Sequence, residues 1–214
     1  PVFDGQYSNQ CYISRITEAY EHYKSESHQK GKLYEKWSAI LMHLPYCFQG
    51  RRTFIEIFAN ENPELLENQL GENNKEKLKS LAKSSEYLDI VNQYIFPSEI
   101  ASGRIGNIYT GSIFLGLLST LCYHFKNETN ITNTTFGFIA YGSGSKAKVF
   151  EAVVEENWGT VIENVTLFET IEQAMPIDFS TYERLHKKDL KKFGITQTEP
   201  KRTVYQILII LQAY

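Results

Sequence analysis

One block in the middle of the chain combines a polar helix start with a strongly apolar helix. The block reads Gly106-Asn107-Ile108-Tyr109-Thr110-Gly111-Ser112, and an apolar run from Ile113 to Phe125 follows it. The first N–H groups of a helix have no partner inside it, and the positive end of the helix dipole lies behind them. We therefore expect Asn107 at the mouth of a helix buried between two layers, where its side chain could donate to an acyl oxygen. An ordinary core helix with a polar cap would carry the same pattern.

Two further polar residues stand at predicted strand ends. Residues 37–44 read as a short buried strand that stops at Pro45, so His43 is expected at its C-terminal tip. Ser143 lies between Gly142 and Gly144, where the small neighbours leave room for a ligand to approach the backbone. A plain turn between two strands would use the same glycines.

The rest of the chain alternates helical and extended patterns. Helices are predicted over 8–27, 46–60, 87–96 (closed by Pro97) and 168–192. The charged segment from 60 to about 83 is predicted to be a helical insertion on the surface. Strands are predicted over 135–141, 149–154 and 203–214. This alternation around a buried helix predicts an α/β layered fold: a mixed sheet with a buried central helix and surface helical insertions.

Composition narrows the class of protein. A net charge of −3 over 214 residues gives no electrostatic reason to expect a nucleic acid or an anionic membrane as partner. The apolar run is too short to span a bilayer. The three cysteines form no CxxC pair and no zinc-type cluster with histidine, so neither metal nor disulfide is predicted, and reduced thiols in a cytoplasmic protein are expected. Because the sequence begins with Pro1, a native N-terminus is not expected.

Four segments follow one another along the chain: Pro1-Val2-Phe3-Asp4-Gly5 with Gln10-Cys11-Tyr12, then His43-Leu44-Pro45-Tyr46-Cys47, Gly106-Asn107-Ile108-Tyr109-Thr110, and Tyr141-Gly142-Ser143-Gly144. In this order they resemble motifs of the C-terminal half of hydroxymethylglutaryl-CoA synthase, a member of the thiolase superfamily. The resemblance covers nearly the whole chain. It implies that residues 1–214 form the C-terminal domain of a thiolase-like layered fold whose catalytic-cysteine half is absent from this sequence.

The resemblance also implies a reaction. The family condenses acetyl-CoA with acetoacetyl-CoA into 3-hydroxy-3-methylglutaryl-CoA through an acetyl-cysteine intermediate, toward mevalonate. It needs no cofactor beyond its CoA thioester substrates. The nucleophilic cysteine and the general acid/base glutamate belong to the N-terminal half, so this chain is expected to be inactive alone and to work with that half, as a homodimer when complete. Cys47 lies near His43, but the resemblance makes it a packing residue.

The matched residues receive specific expected roles. His43 and Asn107 would be catalytic, donating hydrogen bonds to carbonyl oxygens on which negative charge develops. The substrate-binding residues would be Pro45, Tyr46, Arg51, Arg52, Tyr109 and Ser143.

One position departs from the family pattern. A lysine is common five residues after the histidine, where CoA binds, but this chain has Phe48. Arg51 and Arg52 could instead clamp a phosphate, or they could form a solvated basic pair. Two alternatives therefore stay open: a relative that acts on acyl chains tethered to a carrier protein in polyketide β-branching, and a non-catalytic acyl-binding or scaffold subunit.

Overall fold

The computed structural model describes residues 5–142, 144–189 and 211–213. The helices are α1 Gly5–Glu26, α2 Gln49–Glu61, α3 Pro63–Glu67, α4 Asn74–Leu81, α5 Ser85–Ile90, α6 Phe96–Ile105, α7 Ser112–Lys126, α8 Trp158–Ile162, α9 Leu167–Glu172 and α10 Phe179–His186. The strands are β1 Ala39–Met42, β2 Thr135–Gly142, β3 Lys146–Val154 and β4 Leu211–Ala213. Short 3₁₀ turns lie at Leu33–Lys36 and Tyr109–Gly111.

The four described strands form one mixed sheet in the order β1-β2-β3-β4. β1 runs parallel to β2, whereas β2 and β3 form an antiparallel hairpin to which β4 adds antiparallel. This mixed sheet confirms the predicted α/β class. Ser143 lies outside the described residues, and of the strand predicted over 203–214 only 211–213 are described.

The sheet separates two hydrophobic cores, as the alternation of side chains along a strand requires. Ile40 and Met42 of β1 belong to the core that also holds the buried stripe of α1 and most of α2. Ala39 and Leu41 belong to the opposite core, with α7 and α8. The layered architecture therefore follows from a strand that is apolar on both faces.

The apolar helix α7 is mostly buried, and it packs against α6 as well as against the sheet. Ile113, Leu117 and Leu121 pack into the second core, while Phe114 is 55% exposed and Phe125 is 41% exposed. The prediction of a buried central helix is therefore confirmed for most of α7, whereas Phe114 and Phe125 remain exposed among the described residues.

Pro97 marks a helix start, which corrects the prediction that it closes a helix. A π-type turn, Val91–Ile95, leads from α5 into α6, and Pro97 sits in the first turn of α6. A helix donates no intrahelical hydrogen bond from its first turn, so a proline is accommodated there. The predicted helix over 168–192 is also interrupted, since α9 ends at Glu172 and α10 begins at Phe179.

Candidate functional site

His43 directly follows β1, as the sequence predicted, and its backbone is held from two sides. Its N–H donates to the carbonyl oxygen of Ile139 on β2 over 3.1 Å, which continues the strand pairing by one residue. Its own carbonyl accepts a hydrogen bond of 2.7 Å from the hydroxyl of Tyr12 on α1. The sheet and the first helix therefore fix where the histidine leaves the strand.

The imidazole of His43 is positioned by a serine at the start of α7. The distance from Ser112 Oγ to His43 Nδ1 is 3.0 Å, and the same oxygen accepts the N–H of Leu44 over 2.9 Å. Partial burial lowers the pKa of His43 from its ordinary value of 6.5, so the ring is neutral near pH 7. A neutral imidazole carries one donor nitrogen and one acceptor nitrogen.

Two tyrosines surround this histidine. The rings of Tyr12 and Tyr141 meet edge to face with their centroids 4.8 Å apart, and the Tyr141 centroid lies 6.2 Å from that of His43. Burial raises the pKa of the Tyr12 hydroxyl, which therefore stays protonated and keeps donating to the His43 carbonyl. In the sequence, Tyr12, Tyr141 and Ser112 are parts of the motifs, but no role in the site was predicted for them.

Asn107 lies in the exposed loop that leads from α6 into α7. Its Oδ1 accepts a hydrogen bond of 2.7 Å from the N–H of Tyr109, whose φ is +53°. Because the oxygen is used within the loop, the N–H₂ group is the part of the amide that remains for a ligand. No hydrogen bond joins Asn107 to His43 among the described residues. The link between them is indirect, through the short turn Tyr109–Gly111 and Ser112.

The two arginines are placed very differently. Arg51 donates from Nε to the Glu99 carboxylate over 2.8 Å and makes a second bond to it through its terminal nitrogen. Arg52 is exposed, and its guanidinium lies 5.9 Å from the ring centroid of Tyr46. Arg51 is therefore occupied within the protein, and Arg52 is the member of the pair that faces solvent.

The loop between His43 and α2 presents aromatic side chains. Tyr46 and Phe48 are each 47% exposed, and the Arg51 guanidinium lies 4.8 Å from the Phe48 ring centroid. Pro45 is half-buried between them and His43. Tyr109, in the short turn before α7, is also exposed. Ser143, predicted to bind substrate, lies outside the described residues.

Cys47 does not have the surroundings of a reactive thiol. Burial raises its pKa, the Glu99 carboxylate adds to that shift, and only Arg51 opposes it. Its sulfur also packs against α6, 3.0 Å from where a Cβ on Gly103 would lie. A thiol with a raised pKa is a poor nucleophile, which agrees with the packing role expected for Cys47.

The described part of the chain has neither a metal-binding cluster nor a membrane-spanning helix. Within 5–142, 144–189 and 211–213, no three His, Cys, Asp or Glu side chains come close enough together to hold a metal ion. None of the helices in those ranges has both the length and the apolar character that crossing a bilayer requires.

Comparison with known proteins assigns the family. The sequence profile of the family described as hydroxymethylglutaryl-coenzyme A synthase C terminal matches residues 1–178. The chain belongs to the hydroxymethylglutaryl-CoA synthase family. It is 26% identical over 211 residues to the hydroxymethylglutaryl-CoA synthase of Enterococcus faecalis, covering 98% of this chain and 47% of that protein. It is also 26% identical over 225 residues to the enzyme of Haloferax volcanii, covering 93% of this chain and 50% of that protein.

Solved synthases of this family share the fold. The structure of MvaS in complex with 3-hydroxy-3-methylglutaryl coenzyme A aligns with a TM-score of 0.69 at 23% identity, over 87% of this chain and 44% of that one. The curacin biosynthetic pathway HMG synthase in complex with holo donor-ACP also has a TM-score of 0.69, at 16% identity, over 100% of this chain and 51% of that one. The fold is thus thiolase-like, and the chain spans about half the length of the curated relatives it matches.

Proposed function

We propose that this chain is the acetoacetyl-CoA-binding C-terminal half of a synthase that makes 3-hydroxy-3-methylglutaryl-CoA from acetyl-CoA and acetoacetyl-CoA. The nucleophilic cysteine and the acid/base glutamate would come from the other half of the same protein. The chain alone would then release no CoA from the two substrates. Turnover by the isolated chain would contradict this division of labour.

The observation that carries the proposal is the oriented imidazole at the end of β1. His43 is held through its backbone by Ile139 and Tyr12, and through its ring by Ser112. Condensation places negative charge on carbonyl oxygens, and donors that are fixed before the reaction stabilise that charge without reorganising. His43 would donate to the acetoacetyl oxygen, and the Asn107 amide would donate from the loop beside it.

The experiment is to replace each donor in the complete gene product. His43→Ala and Asn107→Ala should each slow condensation by about 10²–10³-fold, the usual effect of losing one oxyanion donor. Acetylation of the upstream cysteine should survive in both variants, because neither donor acts in that step. Normal condensation in both variants would reduce His43 to a core residue and Asn107 to a helix cap. An absence of both acetylation and condensation in the wild type would favour the scaffold alternative.

A carrier-protein-dependent synthase is the second candidate, and the engaged Arg51 favours it. With Phe48 at the usual lysine position and Arg51 bonded to Glu99, one exposed arginine remains near the loop to meet a nucleotide phosphate. The curacin pathway relative is solved in complex with its donor-ACP. We favour the CoA thioester because the remainder of the His43 block is intact.

The cellular setting is part of the same proposal. Cys11, Cys47 and Cys122 are all free thiols, which suits a reducing compartment. The rat relative is named as the cytoplasmic form of the enzyme. These observations support a cytoplasmic setting; the homodimer and the place in the mevalonate pathway of isoprenoid biosynthesis are proposed from the family resemblance alone.

A further inference from the structure

Ser112 is the first residue of α7, and it has no contact with solvent. It is 0% exposed, and its hydroxyl oxygen meets two groups on the segment after β1: the N–H of Leu44 at 2.9 Å and Nδ1 of His43 at 3.0 Å. A hydroxyl has one proton and can accept at its lone pairs. The backbone N–H of Leu44 can only donate, so the serine oxygen accepts from it and keeps its own proton for another partner.

The protons on this contact can be assigned by elimination. If His43 Nδ1 carried a proton, Ser112 Oγ would accept two N–H bonds and would need a separate acceptor for its own proton. The described residues offer no such third partner, and a buried hydroxyl proton without an acceptor is costly, by about 1–3 kcal/mol. The serine proton therefore points to Nδ1, which must be the unprotonated nitrogen.

The two residues after His43 cannot donate a hydrogen bond to its ring, so Ser112 is the donor. The N–H of Leu44 is already directed at the serine, and Pro45 has no N–H at all. Neither of the next two residues can therefore donate to the ring. The lowered pKa of His43, caused by burial, keeps the imidazole neutral, so its single proton is on one nitrogen or the other.

We propose that Ser112 is a positioning residue that fixes His43 in the tautomer protonated at Nε2. The hydrogen bond to the other ring nitrogen sets which nitrogen carries the proton. Nε2–H then points away from the serine as a donor. Its use toward an acyl oxygen rests on the proposed function, but the tautomer itself does not.

The test reads the tautomer directly, by nitrogen-15 NMR of the whole 214-residue chain labelled at histidine. Signals of His43 are assigned by their loss in His43→Ala. The spectra are recorded at a pH high enough for the His43 ring to be neutral. We then expect a protonated, pyrrole-type Nε2 and an unprotonated, pyridine-type Nδ1, whose resonance is shifted by the hydrogen bond that it accepts. A proton on Nδ1 in the wild type would overturn the proposal, whatever the enzyme's activity turns out to be.

Variants then separate positioning from general stability. In Ser112→Ala, the Nδ1 signal should move to that of a pyridine-type nitrogen without a hydrogen bond, or split into two tautomers. Ser112→Thr, which keeps a hydroxyl, should restore the wild-type pattern.

Ser119→Ala is the matched control, because Ser119 is equally buried on α7 and also bonds through its hydroxyl, to the backbone of Pro97 and Ala101. It should leave the His43 signals unchanged. Unaltered His43 signals in Ser112→Ala, or an equal change in Ser119→Ala, would refute the assignment. In the complete gene product, kcat for condensation should fall by about 10-fold or more in Ser112→Ala, since a misplaced donor loses its effect.

Discussion

The guanidinium of Arg51 on α2 is bonded to the carboxylate of Glu99 on α6, where Glu99 is only 2% exposed. The second carboxylate oxygen, Oε1, has no hydrogen-bond partner among the described residues and faces Gly50, 3.6 Å from where a Cβ would lie. Tyr87 on α5 donates to the Arg51 carbonyl as well. Arg51 therefore links the first turn of α2, directly after the His43 loop, to both α5 and α6. From the sequence, the same residue had been expected to bind a phosphate.

Removing Arg51 should destabilise the fold. Arg51→Ala leaves the Glu99 carboxylate buried and unpaired, which should cost about 3 kcal/mol of the free energy of unfolding, measured by urea titration. The neighbouring Arg52→Ala is the control: its guanidinium is exposed, and a loss under about 0.5 kcal/mol is expected. Equal losses in the two variants would mean that the ion pair contributes nothing of its own.

A substitution of Arg52 best tests whether the substrate is carried by free CoA or by a carrier protein. Substituting Arg51 would also break its ion pair with Glu99 and destabilise the fold. If Arg52 meets a CoA phosphate, Arg52→Ala should weaken acetoacetyl-CoA binding by about 1–3 kcal/mol. Added salt should reduce the difference, since an exposed charge contact is screened. The measurement is a calorimetric titration of the complete gene product, with exposed Arg15→Ala as control. Tight binding of an acetoacetyl carrier protein, with no measurable affinity for the free thioester, would establish the β-branching alternative.

Buried histidines should make the protein less stable in mild acid. Burial lowers the pKa of His124 from its ordinary 6.5, and both of its ring nitrogens are buried without a partner in the described residues. The unfolded chain takes up this proton first as the pH falls, so the folded state loses stability from about pH 6.5 downward until the folded histidine is itself protonated. His43 contributes with the same sign.

The corresponding variant is His124→Leu. Its free energy of unfolding should change less than that of the wild type between about pH 7 and about pH 5, because one proton-linked contribution has been removed. Urea titrations at both pH values measure the difference. A variant that loses as much stability as the wild type would show that His124 titrates alike in the folded and unfolded chains.

Gly137 on β2 should tolerate no side chain. A Cβ at this position would lie 2.0 Å from the ring of Trp37, whose indole also donates to Glu151 over 2.7 Å. Gly137→Ala must displace this buried ring, and a loss of about 3 kcal/mol or more is expected, visible as a lower thermal midpoint. Gly142→Ala, on the same strand with nothing within 4 Å of the new methyl, should be close to neutral. A stable Gly137→Ala would mean that the Trp37 ring can move aside at little cost.

The sequence predicted the position of His43 well but not what holds it there. An apolar run that ends at a proline indicates a strand locally, and both signals lie within ten residues. The contact between Ser112 and His43 joins residues 69 apart, and a serine at a helix start looks the same whether or not a histidine faces it. The buried ion pair of Glu99 was equally hard to predict from the sequence, because a single acidic residue in a helical segment is usually exposed. Pro97 was misread because proline favours both the residues after a helix and the first turn of the next one.

The parallel pairing of β1 with β2 has a consequence for how the protein folds. Among the described strands, β2 is the partner of β1, and the Ser38 hydroxyl reaches the Thr135 carbonyl across 97 residues of chain. Closing a loop of that length costs about 4 kcal/mol in chain entropy, and the favourable contacts between the strands form only afterwards. During synthesis on the ribosome, β1 therefore stays unpaired until helices α2–α7 and strand β2 have been made. His43 accordingly reaches its place late in folding. A newly made chain stalled before β2 would display an unpaired apolar strand, a state that chaperones bind.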